Sequence, residues 1–434
     1  MKFILFSLST VFFIFMVTST ATFYLDTYIL DKNSTYIMWW HFLIIFIFLF
    51  FSYPLVPQVL SKPSDLILWC LYLFVFIPSL LVLPWGTSLV LFDELLYCAF
   101  VLFCLFIIHR VTSAPSTSVP RFRLNLSSSQ KLSCLLIIAV LSNISLVLVY
   151  GARFYLPSIL EVYEVRSEFK GAISSRGGIF STVLLRWTAY VINPMVILLA
   201  LSRRWFPIVI LASVMQLYIF GIAGLKSIAL SVFLLPILYV FLCSIRSVAY
   251  SFFVTGISVF IFIIFLISYS LDQRIYMDLA VRRAILVPGQ LSAYYFEYFS
   301  HSEKFQFSVS RTLGLFNMNN RAYSVDIPAL IGYEYFGRKD ASSNANIFAD
   351  AFANFGYFGM ILFSTGLAIF LRILNSTSRE IDVSLTSAVC FLQMVNFTNS
   401  SLTTILLGHG FIFLLILIHL LPQGSIISVN ENQA

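Results

Sequence analysis

The chain has 434 residues, of which 60% are hydrophobic and only 10% charged, and its mean hydropathy is +0.94. Soluble domains carry roughly 25% charged residues, so this composition cannot cover a water-facing globule; a soluble enzyme, a nucleic-acid binder and a disordered or disulfide-rich secreted protein are excluded. The net charge of +7 is spread between hydrophobic segments rather than gathered on one face, which gives no reason to expect nucleic acid as a partner.

A helix crossing about 30 Å of hydrocarbon needs about 20 mainly apolar residues. Such runs predict an all-α, polytopic membrane protein with about 12 transmembrane helices, over residues 3–22, 36–54, 65–83, 89–109, 132–151, 178–201, 205–222, 226–244, 248–270, 347–371, 383–399 and 402–421. The first follows Lys2 and has the apolar core of a signal peptide, but no small-residue cleavage site comes after it, so it reads as a retained helix. Asn396, Asn399, Ser400 and Ser401 interrupt the last apolar stretch and read as a tight outward turn. The organisation is then five helices in 1–151, a first long outer segment 152–177, central helices in 178–270, a large outer segment 271–346, and C-terminal helices in 347–434.

Orientation follows from Lys and Arg in the short connections. With the amino terminus inside, the inner set is Lys2, Lys62, Arg110, Arg121, Arg123, Lys131, Arg203, Arg204, Arg246, Arg372 and Arg379, against Lys32 and Lys226 outside. Eleven against two predicts that both termini are cytoplasmic. Cys70, Cys98, Cys104, Cys134, Cys243 and Cys390 all fall inside predicted spans, away from any oxidising loop, and read as small core residues. No CxxC, HExxH, P-loop or GxGxxG pattern occurs, so no metal and no cofactor is expected.

The two long outer segments are too long and too charged to be simple connectors. The first carries Arg153, Glu161, Glu164, Arg166, Glu168, Lys170 and Arg176. The second sets Arg274, Arg282, Arg283, Lys304, Arg311, Arg321, Arg338 and Lys339 against Asp272, Asp278, Glu297, Glu303, Asp326, Glu334 and Asp340. Its aromatic run, Tyr294, Tyr295, Phe296, Tyr298 and Phe299, suits a helix lying in the headgroup zone, which could anchor the segment and also wall a site.

Charges inside a membrane are costly and usually functional. Arg186 sits about eight residues into the sixth span, roughly 12 Å below its outer end at 1.5 Å per residue. Lys226, in GIAGLKS, opens the eighth span, where it could simply snorkel to the interface, and Asp93 and Glu94 lie near the outer end of the fourth. Asn346, Asp350 and Asn354 recur every four residues and line one helical stripe, which fits either the hydroxyls of a sugar or hydrogen bonds between helices. These residues describe an outer-leaflet cavity lined with cations. Arg and Lys there suit a lipid phosphate or pyrophosphate.

Three stretches, GLKS at 224–227, Arg282-Arg283 with Pro288-Gly289 running into YYFEYF, and NANIFADAFANFGYFG, resemble segments of the bacterial O-antigen polymerases, a family of oligosaccharide repeat-unit polymerases. Arg166 with Gly177, and Arg321 with Gly332, also match an Arg-to-Gly spacing seen in the long loops of some members. The resemblance implies a helical bundle like that of the GT-C glycosyltransferases, in the bacterial inner membrane. It implies lipopolysaccharide biosynthesis at the periplasmic face, with a growing glycan passed from undecaprenyl pyrophosphate to an incoming lipid-linked repeat unit. Membrane lipids, a chain-length regulator and a flippase would be its partners. Cations that stabilise the leaving pyrophosphate would be Arg282, Arg283, Arg166, Lys226 and Arg186, joined by Arg176, Arg311 and Arg321. Asp278, Glu297, His301, Glu334 or Asp350 would deprotonate the accepting hydroxyl, a choice the sequence leaves open. Asn346, Asp350, Asn354, Tyr294 and Tyr295 would contact glycan, and His409 reads as a packing or helix-bonding residue. The alternatives are a lipid-linked oligosaccharide flippase or other transporter, and an O-antigen ligase.

Overall fold

The computed structural model describes residues 2–24, 39–86, 89–114, 126–158, 161–162, 164–166, 168–169, 178–245, 248–307, 323–338 and 343–421. These residues are helical with no β-strand; one isolated antiparallel bridge joins Val59 and Ala249. Nine helices among them are long and apolar enough to cross a membrane, as expected of a multi-pass membrane protein. In chain order the helices are α1 (Lys2–Tyr24), α2 (Trp39–Ser52), α3 (Pro63–Leu83), α4 (Leu91–Ser113), α5 (Ser128–Tyr150), α6 (Phe180–Ser202), α7 (Phe206–Ala223), α8 (Lys226–Ser244) and α9 (Tyr250–Ser270). There follow α10 (Val287–His301), α11 (Ile327–Phe336), α12 (Ile347–Thr377), α13 (Val383–Val389), α14 (Phe391–Phe397) and α15 (Phe411–Leu417).

Almost every residue of α3 is buried, which makes it the centre of the bundle, while α5, α8 and α9 leave Leu141, Leu148, Phe233 and Ile263 bare. Apolar surface on that scale belongs against lipid. The connections predicted for one side of the membrane meet at one end. Leu60 N–H donates to Val248 O at 2.9 Å, Tyr250 N–H to Gln58 O at 3.0 Å, and Lys62 Nζ to Thr112 O at 2.7 Å. Asn375 Nδ2 donates to Ser64 Oγ at 2.8 Å at the same end. The up-and-down alternation drawn from hydropathy therefore closes on itself in three dimensions.

Three spans differ from their predicted form. The helix beginning at Ile347 runs on to Thr377 and breaks at Phe355 and Gly356, where φ is +63°. Carbonyls freed by such a break must be satisfied inside the protein: Phe305 N–H donates to Ala353 O at 2.8 Å and Gln306 N–H to Asn354 O at 3.3 Å. The stretch predicted as 383–399 is two short helices, α13 and α14, meeting at Cys390. The stretch predicted as 402–421 is π-helical over Thr404–Gly408, turns at Gly410 (φ +78°) and continues as α15.

The segment 271–346 holds a buried helix. In α10, Pro288, Gly289, Leu291, Ser292, Ala293, Tyr295, Phe296 and Phe299 are all buried, packed against the second half of α3 and against α12. A Cβ on Gly289 would stand 2.6 Å from Pro78 O, so only glycine allows this approach. Phe296 packs with Tyr97 at 4.6 Å and with Phe352 at 4.9 Å between ring centroids. The aromatic run expected in the headgroup zone is thus largely core, because two flanking helices give its rings protein to bury against.

Candidate functional site

Gly224 ends α7 in a left-handed turn (φ +61°), and the chain re-enters a helix at Lys226. A Cβ at Gly224 would lie 2.7 Å from Val162 O and 3.2 Å from Arg166 N, so the missing side chain is the space that the first outer segment fills. Gly221 works likewise, its Cβ position falling 2.0 Å from Tyr155 O. Within that segment Glu161 accepts the Ser158 N–H at 2.8 Å and the Tyr155 hydroxyl at 2.9 Å, and these bonds, the backbone one foremost, hold its carboxyl below the usual range. Two glycines and one carboxylate thereby fix where Arg166 stands.

Arg186 reaches the same place from α6. Its Nη1 is 3.5 Å from the Cβ position of Gly408, so the guanidinium rests on the 404–410 turn. One turn on, where α6 is π-helical over Thr188–Ile192, Tyr190 is buried, feels the charges of both Arg186 and Arg166, and directs its hydroxyl to Ser227. Half-buried Lys226 is the first residue of the 19-residue α8, whose N-terminal N–H groups add partial positive charge. Residues distant in sequence, Arg166, Arg186 and the Lys226-Ser227 helix start, are brought together around one tyrosine.

His409 lies at the same level. Its ring meets Tyr190 edge-on at 4.9 Å, and its Nε2 is 3.4 Å from Ser400 Oγ. The turn that carries it is locked to α6: Trp187 Nε1 donates to Leu407 O at 2.8 Å and the indole stacks on Phe413 at 4.6 Å. Gly410 leaves the room this requires, since its Cβ position is 2.7 Å from the Trp187 ring. These contacts are those of the packing or helix-bonding residue that the sequence suggests for His409.

Arg282 and Arg283 form a second group. Both face Asp278, Arg282 through a short contact from Nε and Arg283 at 3.5 Å. Their π-helical stretch, Asp278–Leu286, packs on α1, α3 and α9, whereas α6 packs on α5, α7 and the 404–408 turn. The expected single convergence of five cations is therefore corrected to two groups. Asp278 is shared by the two guanidinium groups.

A third cluster joins α10 and α11. Tyr335 donates to Glu297 Oε2 at 3.2 Å, Tyr294 stacks on Tyr335 at 4.1 Å, and Gln290 Nε2 donates to the Tyr294 hydroxyl at 2.7 Å. Burial first, and then the Glu297 carboxylate, hold the Tyr335 phenol above its ordinary value. His301, at the end of α10, and Glu334 are exposed.

The polar stripe of α12 is committed to the fold. Asn346 Oδ1 accepts Phe348 and Ala349 N–H at 3.0 and 3.1 Å as an N-cap, and its Nδ2 donates to Ser292 Oγ. Asn354 donates to Asp350 O at 2.9 Å and accepts Phe307 N–H at 2.9 Å. The Tyr295 hydroxyl donates to Ser343 O at 2.8 Å from a buried position. Asn346, Asn354 and Tyr295 are corrected from glycan contacts to internal glue, because their hydrogen-bonding groups already have protein partners; Asp350 differs, with Oδ2 enclosed and unpartnered. Arg176, Arg311 and Arg321 lie outside the described residues. Among the described residues no set of three His, Cys, Asp or Glu side chains could hold a metal ion. No family model, no curated protein and no solved structure matches the chain.

Proposed function

We propose that the protein is a membrane glycosyltransferase that polymerises oligosaccharide repeat units, moving a growing glycan from undecaprenyl pyrophosphate to an incoming lipid-linked unit at the periplasmic face of the bacterial inner membrane. The observation that carries this reading is the meeting of Arg166 and Arg186 around Tyr190 at the start of α8. When the glycosidic bond to the diphosphate breaks, negative charge grows on the leaving oxygen. Preorganised cations aimed at that oxygen lower the barrier. Arg166, Arg186, Lys226 and the α8 N-terminus supply them. Both reactants of such a polymerase carry a lipid diphosphate, and the Arg282-Arg283 pair offers the second one a separate seat. A flippase and a chain-length regulator would act before and beside it.

The test is surface polysaccharide on a gel. Arg186→Ala should collapse long-chain O-antigen to single-unit caps while the protein stays in the membrane, and Arg203→Ala, at the opposite end of α6, should leave the ladder intact. A ligase would instead leave the lipid core bare. An unchanged ladder in Arg186→Ala removes the basis of the proposal. One observation favours transport as a second reading: α12 breaks just after a buried carboxylate oxygen without a partner, at Asp350, and discontinuous helices beside charged groups are a transporter feature. Loss of a flippase would leave repeat units on the inner face and no caps at all.

A further inference from the structure

Between α9 and α10 the chain passes through nine π-helical residues, Asp278–Leu286. Val287 N–H closes this stretch on Arg282 O, five residues back. In an α-helix the residues three and four apart face each other; hydrogen bonds that span five residues widen the turn, so residues four and five apart share a side. Asp278 therefore faces both Arg282 and Arg283. The same spacing gathers Val281, Ile285 and Leu286 into a buried side, which seats the stretch on α1, α3 and α9. A regular α-helix would turn the second arginine away from the carboxylate. Here the local geometry brings two adjacent guanidinium groups to one anion, and π-helical stretches are frequent at functional sites.

The carboxylate divides its oxygens between the pair: Oδ1 accepts from Arg282 Nε, and Oδ2 stands 3.5 Å from Arg283 Nε. Two oxygens of a phosphate would span the guanidinium groups in the same way. The three side chains, Asp278, Arg282 and Arg283, are 31%, 27% and 42% exposed, so a ligand reaches them from the surface without any opening of the fold. Ion pairs this exposed hold weakly. Asp272 and Arg274, both exposed just before the stretch, are of opposite sign and leave the group with one positive charge in excess. Tyr269, Leu271 and Tyr276 are 65%, 55% and 41% exposed where α9 gives way to the stretch. Tyrosines bared at the end of a span mark the membrane–water interface, which is the level of a lipid headgroup.

We propose that Asp278 is an exchangeable counter-anion, which holds the Arg282-Arg283 pair in place and gives way to the diphosphate of a membrane lipid. The inference rests on the reading of this pair as a second diphosphate seat. A diphosphate carries more charge and more acceptor oxygens than one carboxylate, so it outcompetes Asp278 at the same two guanidinium groups. An anion of lower charge has less to gain from the exchange. Asp278 thereby sets a threshold: it keeps two neighbouring cations ordered, and it makes the seat select for a strongly charged headgroup. No covalent step is involved.

The experiment measures binding to the full chain in detergent, in an Arg186→Ala background that disables the other diphosphate seat. The probes are undecaprenyl pyrophosphate, undecaprenyl phosphate and inorganic pyrophosphate. Asp278→Asn should bind undecaprenyl pyrophosphate about 3- to 10-fold more tightly, the gain expected when two part-exposed ion pairs no longer have to be given up. It should also narrow the preference for undecaprenyl pyrophosphate over undecaprenyl phosphate. Asp278→Ala should move both readouts the same way, since the argument concerns the lost charge rather than the amide. A gain in affinity is what an aspartate with a purely structural role could not give. Unchanged or weaker binding in both variants, at an unchanged melting temperature, overturns the proposal. Equal binding of inorganic and undecaprenyl pyrophosphate overturns the assignment to a lipid. Arg282→Ala and Arg283→Ala should each weaken binding by about 10-fold or more; if neither does, the second-seat reading itself fails, whereas their loss of binding without a gain in Asp278→Asn removes only the role given to Asp278.

Discussion

Gly224→Ala is the sharpest probe of how the cation group is assembled. The residue adopts φ +61°, where an L side chain costs roughly 1–2 kcal/mol. A Cβ there would also press within 2.7 Å of Val162 O, a backbone atom that can yield only by moving the first outer segment. The C-cap hydrogen bond from Gly224 N–H to Phe220 O, 2.9 Å, need not break. Against a typical stability of about 5–15 kcal/mol, the bundle should survive while Arg166 is carried away from Tyr190. The expected result is normal membrane insertion, a small fall in melting temperature in detergent, and a shortened polysaccharide ladder like that of Arg166→Ala. Gly256→Ala is the control: nothing lies within 4 Å of its Cβ position in the middle of α9, so it should be neutral or gain up to about 1 kcal/mol in helix propensity. A full-length ladder from Gly224→Ala would refute the idea that the glycine turn seats Arg166 for function.

Gly289→Ala should cost about 1–3 kcal/mol, because a Cβ 2.6 Å from Pro78 O forces α10 off α3; a thermal melt in detergent reads it. Asn346→Ala should lower stability by about 1 kcal/mol through loss of the α12 N-cap, with KM for lipid-linked substrate unchanged; a raised KM would restore it as a glycan contact. Glu161 has its carboxyl held below the usual range in the folded segment, so the ordering it provides is complete above the unfolded carboxylate value and is lost as pH falls through the lower folded value. Protease nicking near residue 158 should therefore rise on acidification in the wild type, and be raised without that pH step in Glu161→Gln.

Hydropathy made the spans legible because apolar length is set by the bilayer rather than by any partner. Residues 63–83, 128–150 and 250–270 form helices close to where the pattern predicts them. The alternation that the spans imply is visible in the Leu60–Val248 and Lys62–Thr112 contacts. What hydropathy could not give was the shape of the last two apolar stretches. The turn in the last one brings Gly408 and Gly410 against Arg186 and Trp187, more than 200 residues away in sequence, and hydropathy does not carry that information. The same limit hid α10: YYFEYF is equally good for a headgroup surface or a helix interface, and only the close approach at Gly289 decides between them.

Within the candidate site, the sequence found the polar residues but could not tell which already have partners. Asn346 and Asp278 stand out in an apolar chain as strongly as Arg186 does, yet the first is consumed by an N-cap and Ser292 and the second by two arginines. A polar side chain in a membrane bundle is either fully paired, in which case it specifies packing, or left incomplete at a cost that packing alone does not repay. Gln393, Asn396 and His409 belong to the second kind. They sit beside Arg186 and Tyr190, where cations from separate segments also meet. Incomplete hydrogen bonding next to clustered positive charge is a stronger reason to look there than the prominence of any single residue.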